Sequence, residues 1–364
     1  MLLPKRHSIY LAFITALTFS VSAYAGLYGF SNDTTTQPPQ HLDVPPRHIT
    51  NYRKHMRNLI ISISDYAKSK NSNFQIIPHE GQYLLNKSIW EYHQHNYNQI
   101  RQSDTLYNDN TFLSEDAPQD ETNIPYRNKY INAIDGIVIN NRYSLNTPID
   151  SSIINHKLPI LSIEQCKNEK IVDNVIHRSL IDKSIIYPFV DYNNAFRKIH
   201  QQLIINENAE NIYKISQAKN INFLLEDELY NDPYMMLQDI RNSNYDIVVI
   251  NPIFQNTKAF KPDDVEAMKF KKNGARRLII AQYNISEVSE HDYLWKKGWT
   301  IGSPDFIATN SLVNENTYIT KYWKPEWHKL MSHYIKSIID SGYDGLFLTG
   351  TENHRYFEQN IPLE

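Results

Sequence analysis

Eight short apolar runs, rich in β-branched residues, recur along this chain with room for helices between them. Each is bounded by polar or turn residues, a pattern typical of strands buried on both faces. Buried strands that alternate with helices indicate a parallel sheet, and eight such units are the number that closes a (β/α)8 barrel. We therefore predict an α/β fold of the TIM-barrel type, with a doubly wound open sheet as the alternative. The runs span residues 74–80, 134–140, 158–164, 184–191, 221–227, 245–251, 276–284 and 343–350.

Residues 49–70 precede the first run and place Met56, Leu59, Ile60 and Ile63 at helical spacing. Because the chain ends on the eighth run, this helix is expected to cover the seam between the last strand and the first. Barrels of this kind reach such a size as one domain, so residues 47–364 are predicted to form a single barrel.

The N-terminal 25 residues place Lys5 and Arg6 ahead of an apolar run that ends in Ala23-Tyr24-Ala25. This pattern predicts a signal peptide, residues 1–25, and a secreted or periplasmic location. An uncleaved anchor is the rival interpretation, although the run is short for a bilayer span. No stable membrane span is expected after cleavage. Residues 26–46 are polar and proline-rich, which predicts a linker or a disordered segment.

Charge and cysteine usage exclude several classes of partner. The net charge is -3 and no long basic run occurs, so nucleic-acid binding has no electrostatic support. Cys166 is the only cysteine, which excludes an internal disulfide and a thiolate metal cluster within one chain. The histidines lack paired ligand spacing, so neither a metal nor another cofactor is expected.

The candidate chemistry lies where the predicted strands end, because the carboxyl ends of barrel strands build the active site. Two carboxylates, one protonated and one ionised, are the minimum apparatus for glycoside hydrolysis. Acidic residues at strand ends also serve as ordinary capping or solvated groups. The strand ends carry Glu80, Asn140, Glu164, Asp191, Glu226 or Asp227, Asn251, and Asn284 with Glu287.

Aromatic residues concentrate between residues 283 and 327, where four of the five tryptophans lie. Aromatic faces over a groove suit a polysaccharide, because sugar rings present apolar C–H faces. Trp295 and Trp299 are the better stacking candidates. Trp323 and Trp327 stand ahead of a helix, where a role as core anchors is the simpler interpretation.

Three stretches, "YDIVVINP", "NGARRLIIAQYNISEVSEHDYLWKKGW" and "KYWKPEWHKLMSHYIKSIIDSGYDGLFL", resemble the glycoside hydrolase family 114 group, which contains endo-α-1,4-polygalactosaminidases. "NFQIIPHEGQYLL" and "AIDGIVINNRY" are similar to motifs that follow the last of these three stretches in that group, whereas in this chain they precede all three. The resemblance therefore implies a circularly permuted (β/α)8 barrel. It also implies a polysaccharide substrate that contains α-1,4-linked amino sugars.

This sequence departs from the family pattern at three strand ends. Thr349, Asn140-Asn141 and Asn251 stand where the resemblance implies carboxylates. Thr and Asn keep hydrogen-bonding capacity but neither exchange protons nor act as carboxylate nucleophiles near neutral pH. Either the chemistry has moved to other acids, or the site binds sugar without cutting it.

Two functions therefore stay open, a polysaccharide hydrolase and a catalytically silent carbohydrate-binding barrel. For the hydrolase, Glu287 is the first candidate for the acid–base or substrate-binding carboxylate, and its partner is Glu80, Glu164 or Glu352. A third class, a secreted interaction scaffold, would instead expose an apolar patch away from the mouth. The residues predicted to contact the glycan are Tyr283, Asn251, Asn140, Thr349, Trp295 and Trp323.

Overall fold

The computed structural model describes residues 50–86, 125–201 and 204–360, so the predicted signal peptide and linker lie outside the described residues. Each of the eight predicted runs contains a parallel strand. The strands are β1 (Gln75–Pro78), β2 (Ile137–Asn140), β3 (Ile160–Gln165), β4 (Ile185–Phe189), β5 (Ile221–Leu224), β6 (Ile247–Ile250), β7 (Ile253–Phe254), β8 (Lys258–Ala259), β9 (Leu278–Asn284), β10 (Glu287–Ser289), β11 (Ile307–Asn310), β12 (Thr317–Thr320) and β13 (Gly345–Thr349).

A helix lies between each parallel strand and the next, and three 3-10 turns, Gly81–Leu85, Ile215–Gln217 and Thr351–Asn353, supplement the helices. The helices are α1 (Tyr52–Lys70), α2 (Pro125–Ala133), α3 (Ser151–Asn155), α4 (Glu169–Asp182), α5 (Tyr192–Ala195), α6 (Pro233–Arg241), α7 (Pro262–Met268), α8 (Pro325–Asp340) and α9 (His354–Gln359).

The parallel strands pair in two sheets. The larger has the order β1-β13-β9-β6-β5, and the smaller has the order β2-β3-β4. A parallel bridge between His79 and Val138 links β1 to β2. No ladder joins β4 to β5 within the described ranges. The fold is thus a mixed α/β structure with a parallel central sheet, as in TIM-like folds, and the last parallel strand pairs with the first.

Two hydrophobic clusters occupy opposite faces of the strands, because successive side chains of a strand alternate in direction. Val248 and Ile250 belong to a cluster that includes residues of the surrounding helices, such as Ile60 and Ile335. Val249 belongs to a second cluster that takes residues from all eight parallel strands. The strands therefore share one inner core and carry a helical layer outside it.

Helix α1 forms where helical spacing and end groups agree. The Asn51 side chain accepts a hydrogen bond from the backbone N–H of Lys54 at 2.9 Å, which caps the first turn. Met56, Ile60 and Ile63 are buried on its inner face. The helix packs against α2 and α8, the helices beside β1 and β13, which pair with each other. It therefore lies over the junction of the last strand and the first.

Three aspartates stand at the amino ends of strands, one or two residues before the strand begins. Each accepts a backbone N–H from a neighbouring strand or the segment leading into it, and each pairs with a lysine. They connect neighbouring strands at the amino ends, opposite to the polar groups at the carboxyl ends. These three aspartates lie in the stretches that resemble the family, and in this structure they stabilise the fold. The pairs are Asp135 with the N–H of Ile76 (2.9 Å), Asp246 with that of Lys219 (2.7 Å) and Asp344 with that of Ile279 (2.9 Å).

The structure adds two features to the predicted pattern. The chain does not end on β13, because α9 follows it and packs against α1. In addition, β10, β12 and β11 form a three-stranded antiparallel sheet between β9 and α8. Within the described residues, no helix combines the length and apolar character needed to cross a membrane.

Candidate active site

A pocket opens at the carboxyl ends of β5, β6 and β9, and we call it the acidic pocket. Three of the predicted site residues, Glu287, Tyr283 and Asn251, line it. No Lys, Arg or His occurs among the described residues that form its wall. Its polar and aromatic lining comprises Glu226, Asp227, Glu228, Glu287, Asp292, Asn251, Gln255, Asn256, Gln282, Asn284, Ser289, Thr317, Tyr283, Tyr293, Trp327 and Tyr334.

One wall of the acidic pocket consists of the three acids that follow β5. Burial, reinforced by the charge of Glu228, raises the pKa of Glu226 to about 7. Burial likewise raises the pKa of Asp227 to about 6, although its Oδ2 accepts the backbone N–H of Gln255 at 2.8 Å. Arg197 lies 3.0 Å from Glu226 and offsets part of the shift. The carboxyl groups of Glu226 and Asp227 therefore change protonation near neutral pH.

The facing acids come from the turn after β9. Burial raises the pKa of Glu287, while Asn284 and Ser311 donate hydrogen bonds to its two carboxyl oxygens at 3.0 and 3.3 Å. Burial and the charge of Glu287 raise the pKa of Asp292 to about 6, and its Oδ2 accepts the N–H of Ser289 at 2.7 Å. These hydrogen bonds act against the effect of burial, because the donors stabilise the ionised form of Glu287.

The position of Glu287 depends on a close approach between β9 and β13. Asn284 Oδ1 accepts the backbone N–H of Glu287 at 3.0 Å, so one side chain holds both the backbone and the carboxylate. Gly350 passes beside it with φ of 78°, and a Cβ there would lie 2.3 Å from Asn284 Oδ1. Only glycine fits this place, which explains the Thr349-Gly350 ending of the last strand.

Neutral polar side chains lie at the carboxyl ends of three strands, next to the second hydrophobic cluster. Asn140, Thr349 and Asn251 continue the inward alternation of Val138, Phe347 and Val249. His79 Nε2 lies 3.0 Å from Asn140 Oδ1, and Gln282 donates to the Thr349 hydroxyl at 3.1 Å. Amides and a hydroxyl therefore lie at these carboxyl strand ends, at the positions where carboxylates were expected from the resemblance.

Glu80 lies apart from the acidic pocket, buried between β1 and β2. Its backbone adopts the left-handed conformation with φ of 54°, and its oxygens accept from the Asn140 N–H at 2.5 Å and from Gln82 at 2.6 Å. Burial raises its pKa to about 7. Its Oε1 joins two neighbouring strand ends through Asn140, and its Oε2 is held by Gln82 of its own segment. The structure does not bring Glu80 together with Glu287 in the pocket lining.

Glu164 and Glu352 also lie outside the lining of the acidic pocket. Glu164 is fully buried, and its oxygens accept from the backbone N–H groups of Tyr143 and Ser144 at 3.0 and 2.9 Å and from the Ser162 hydroxyl at 2.5 Å. It anchors the loop after β2. Glu352 is half-buried in the 3-10 turn after β13.

The predicted aromatic residues separate into different environments. The ring of Tyr283 packs against Tyr334 with centroids 4.8 Å apart, on the helix-facing side of β9. Trp295 follows β10 and stacks on Tyr318 of β12, with ring centroids 5.2 Å apart and an interplanar angle of 12°. Trp323 packs against Phe357 and Tyr52, far along the chain on α9 and α1. Of these rings, only Tyr283 and its partner Tyr334 line the acidic pocket.

Glu226 and Asp227 are strand-end acids in the sequence, yet neither they nor Asp292 are among the predicted catalytic residues. A signal existed for the first two, because they follow an apolar run directly. Asp292 lies in a turn whose position depends on the antiparallel sheet.

Among the residues that the structure describes, no three His, Cys, Asp or Glu side chains form a group able to hold a metal ion. Burial raises the pKa of the Cys166 thiol to about 11.

The fold and the site together define a mixed α/β protein with an acidic pocket at the carboxyl ends of parallel strands. No family model matches the chain. An uncharacterized protein of Methanocaldococcus jannaschii is 31% identical over 154 residues, which cover 42% of this chain and 43% of that protein. An uncharacterized protein of Thermotoga maritima is 24% identical over 123 residues, which cover 33% of this chain and 37% of that protein. The chain thus spans less than half the length of these relatives.

Among solved structures, the glycoside hydrolase domain of PelA from Pseudomonas aeruginosa aligns with a TM-score of 0.24 at 18% identity. The alignment covers 36% of this chain and 49% of that domain. A variant of the same domain gives a TM-score of 0.23 over the same shares.

Proposed function

We propose that this protein is a glycoside hydrolase that acts on a polysaccharide containing α-1,4-linked amino sugars, at the acidic pocket. The observation that carries the proposal is the set of carboxyl groups Glu226, Asp227, Glu287 and Asp292, which share one pocket and have pKa values raised by burial. Raised and unequal pKa values allow one carboxyl group to be protonated while another is ionised, as glycoside hydrolysis requires.

The environments of the two walls favour different roles. Glu226, whose pKa is raised to about 7 beside the charge of Glu228, is suited to give a proton to the departing glycosidic oxygen. Glu287 accepts hydrogen bonds from Asn284 and Ser311, which favour its carboxylate form. As the anion, it either takes the proton of the attacking water or attacks the anomeric carbon itself.

The charge of the acidic pocket supports a cationic sugar. Five carboxyl groups face the space, and the described residues of its wall contribute no basic side chain. A deacetylated amino sugar carries an ammonium group, which pairs with a carboxylate and donates hydrogen bonds to it. The pocket therefore suits a polymer in which some amino groups are free.

The architecture belongs to the same proposal. We propose that the eight parallel strands close into a circularly permuted (β/α)8 barrel, because one inner cluster draws residues from all of them. The N-terminal pattern of Lys5 and Arg6 before an apolar run supports export, so the polysaccharide would be met outside the cytoplasm.

The test is reducing-end release from a partially deacetylated galactosamine polymer by the purified full chain. Glu287→Gln and Glu226→Gln should each abolish release, because each removes a proton-exchanging group from the pocket without changing its volume. Glu210→Gln is the matched control, since this exposed acid pairs with Lys219 away from the pocket. Release at the wild-type rate by Glu287→Gln would overturn the proposed chemistry.

The neutral mouth favours a second candidate, a carbohydrate-binding barrel without turnover. Asn140, Asn251 and Thr349 keep the capacity to bind hydroxyl groups at the positions where the resemblance implies acids. On this hypothesis the wild-type chain binds the polymer and releases no reducing ends, whereas Thr349→Asp, facing Gln282, gains release. Release by wild type would reject this candidate.

A further inference from the structure

Tyr293 presents an exposed aromatic ring at the rim of the acidic pocket. Its side chain is 71% exposed, yet the residue belongs to the pocket lining together with its neighbour Asp292. An aromatic face beside a carboxylate is a pairing that suits a sugar, because the ring covers the apolar C–H face and the carboxylate accepts from a hydroxyl or ammonium group.

The backbone that carries Tyr293 is held on both sides. The Asp292 N–H donates to the Ser289 carbonyl at 3.0 Å, and the Trp295 N–H donates to the Asp292 carbonyl at 2.9 Å. Trp295 is itself fixed by stacking on Tyr318. Because these contacts order the backbone of the turn, ligand binding at the ring has to fix only the side chain of Tyr293 and not the turn that carries it.

We propose that Tyr293 is a stacking platform for the sugar ring next to the one bound in the acidic pocket. The inference rests on the proposed function and deepens it, because it makes the site specific for a polymer. On this proposal a single sugar is held by the acids of the pocket alone, whereas a longer chain also covers the Tyr293 ring. The stacked ring supplies apolar contact, and Asp292 binds its polar groups.

The experiment compares equilibrium binding of galactosamine and of long galactosamine oligomers by the full chain and its variants. Tyr293→Ala should weaken binding of the oligomers about fivefold to tenfold and leave binding of the monosaccharide unchanged. Tyr293→Phe should retain the wild-type affinity, because the ring face carries the contact. Tyr213→Ala is the matched control, since this ring is 53% exposed and precedes β5 at the opposite end of the strands.

Three outcomes would overturn the platform. Equal oligomer affinity in wild type and Tyr293→Ala would show that the ring makes no contact, and equal loss for monosaccharide and oligomer would place it in the pocket itself. Loss in Tyr293→Phe would assign the effect to the hydroxyl. Failure of the wild-type chain to bind any galactosamine ligand is a different result, because it rejects the proposed function and the platform with it.

Discussion

Replacement of Asp246 by alanine tests whether the aspartates before the strands hold the fold. Lys271 Nζ lies 2.5 Å from Asp246 Oδ1, and both side chains are fully buried. The carboxylate also accepts from the backbone N–H of Lys219 and from Asn208 Nδ2. Asp246→Ala therefore leaves a buried ammonium group without its counter-charge and a partly buried N–H without its acceptor.

The expected loss follows from that burial. Removing one partner of a buried ion pair costs about 3–5 kcal/mol, because the remaining charge is desolvated and uncompensated. Domains have free energies of unfolding of about 5–15 kcal/mol, so this one change removes a large share. Lys271→Met in the Asp246→Ala background should restore part of the loss, since it removes the stranded charge.

Urea denaturation of the purified variants measures the difference in unfolding free energy. Glu210→Gln is the comparison, because Glu210 pairs with Lys219 at 2.9 Å on the surface and its loss should be undetectable. A loss below about 1 kcal/mol in Asp246→Ala, or no recovery in the double variant, would refute the role of this carboxylate as a buried clamp.

Three further outcomes follow from individual residues. The pKa of Glu226 is raised to about 7 from 4.5, so its protonation stabilises the folded state fully below pH 4.5, and this contribution is lost as pH rises from 4.5 through 7. Glu226→Gln should therefore gain melting temperature relative to wild type between these pH values, and a constant difference would contradict this. Gly345→Ala places a Cβ 2.4 Å from the Gln75 carbonyl oxygen, which should cost about 1–3 kcal/mol in urea denaturation, whereas wild-type stability would refute the close approach. Trp323→Ala removes packing against Tyr52 and should lower the free energy of unfolding by about 2–3 kcal/mol without changing the affinity for galactosamine oligomers. A loss of oligomer affinity without a loss of stability would place Trp323 at the glycan.

The strands were predictable because burial on both faces leaves a readable pattern. In the run 245–251, the four apolar residues between Asp246 and Asn251 coincide with β6, Ile247–Ile250. The antiparallel sheet was not predictable in this way, since Thr317–Thr320 has a mixed pattern and is defined by pairing with β10 and β11. Short strands held by local pairing carry little periodicity.

The candidate site was predictable only in part, because letters at strand ends do not show where a side chain points. Glu80, Glu164 and Glu287 all follow apolar runs. Glu80 takes a left-handed backbone conformation and joins two strand ends, whereas Glu164 turns to the loop after β2. Glu287 enters the pocket because Asn284 and the close passage of Gly350 hold its turn. These differences depend on register and loop conformation.

Parallel measurement of polymer binding and reducing-end release on the same samples of wild type and Glu287→Gln tests the central claim most directly. The proposed chemistry predicts that wild type both binds the partially deacetylated galactosamine polymer and releases reducing ends, while Glu287→Gln still binds and releases none. Release by Glu287→Gln at the wild-type rate, or binding by wild type with no release, would contradict a catalytic role for the acidic pocket.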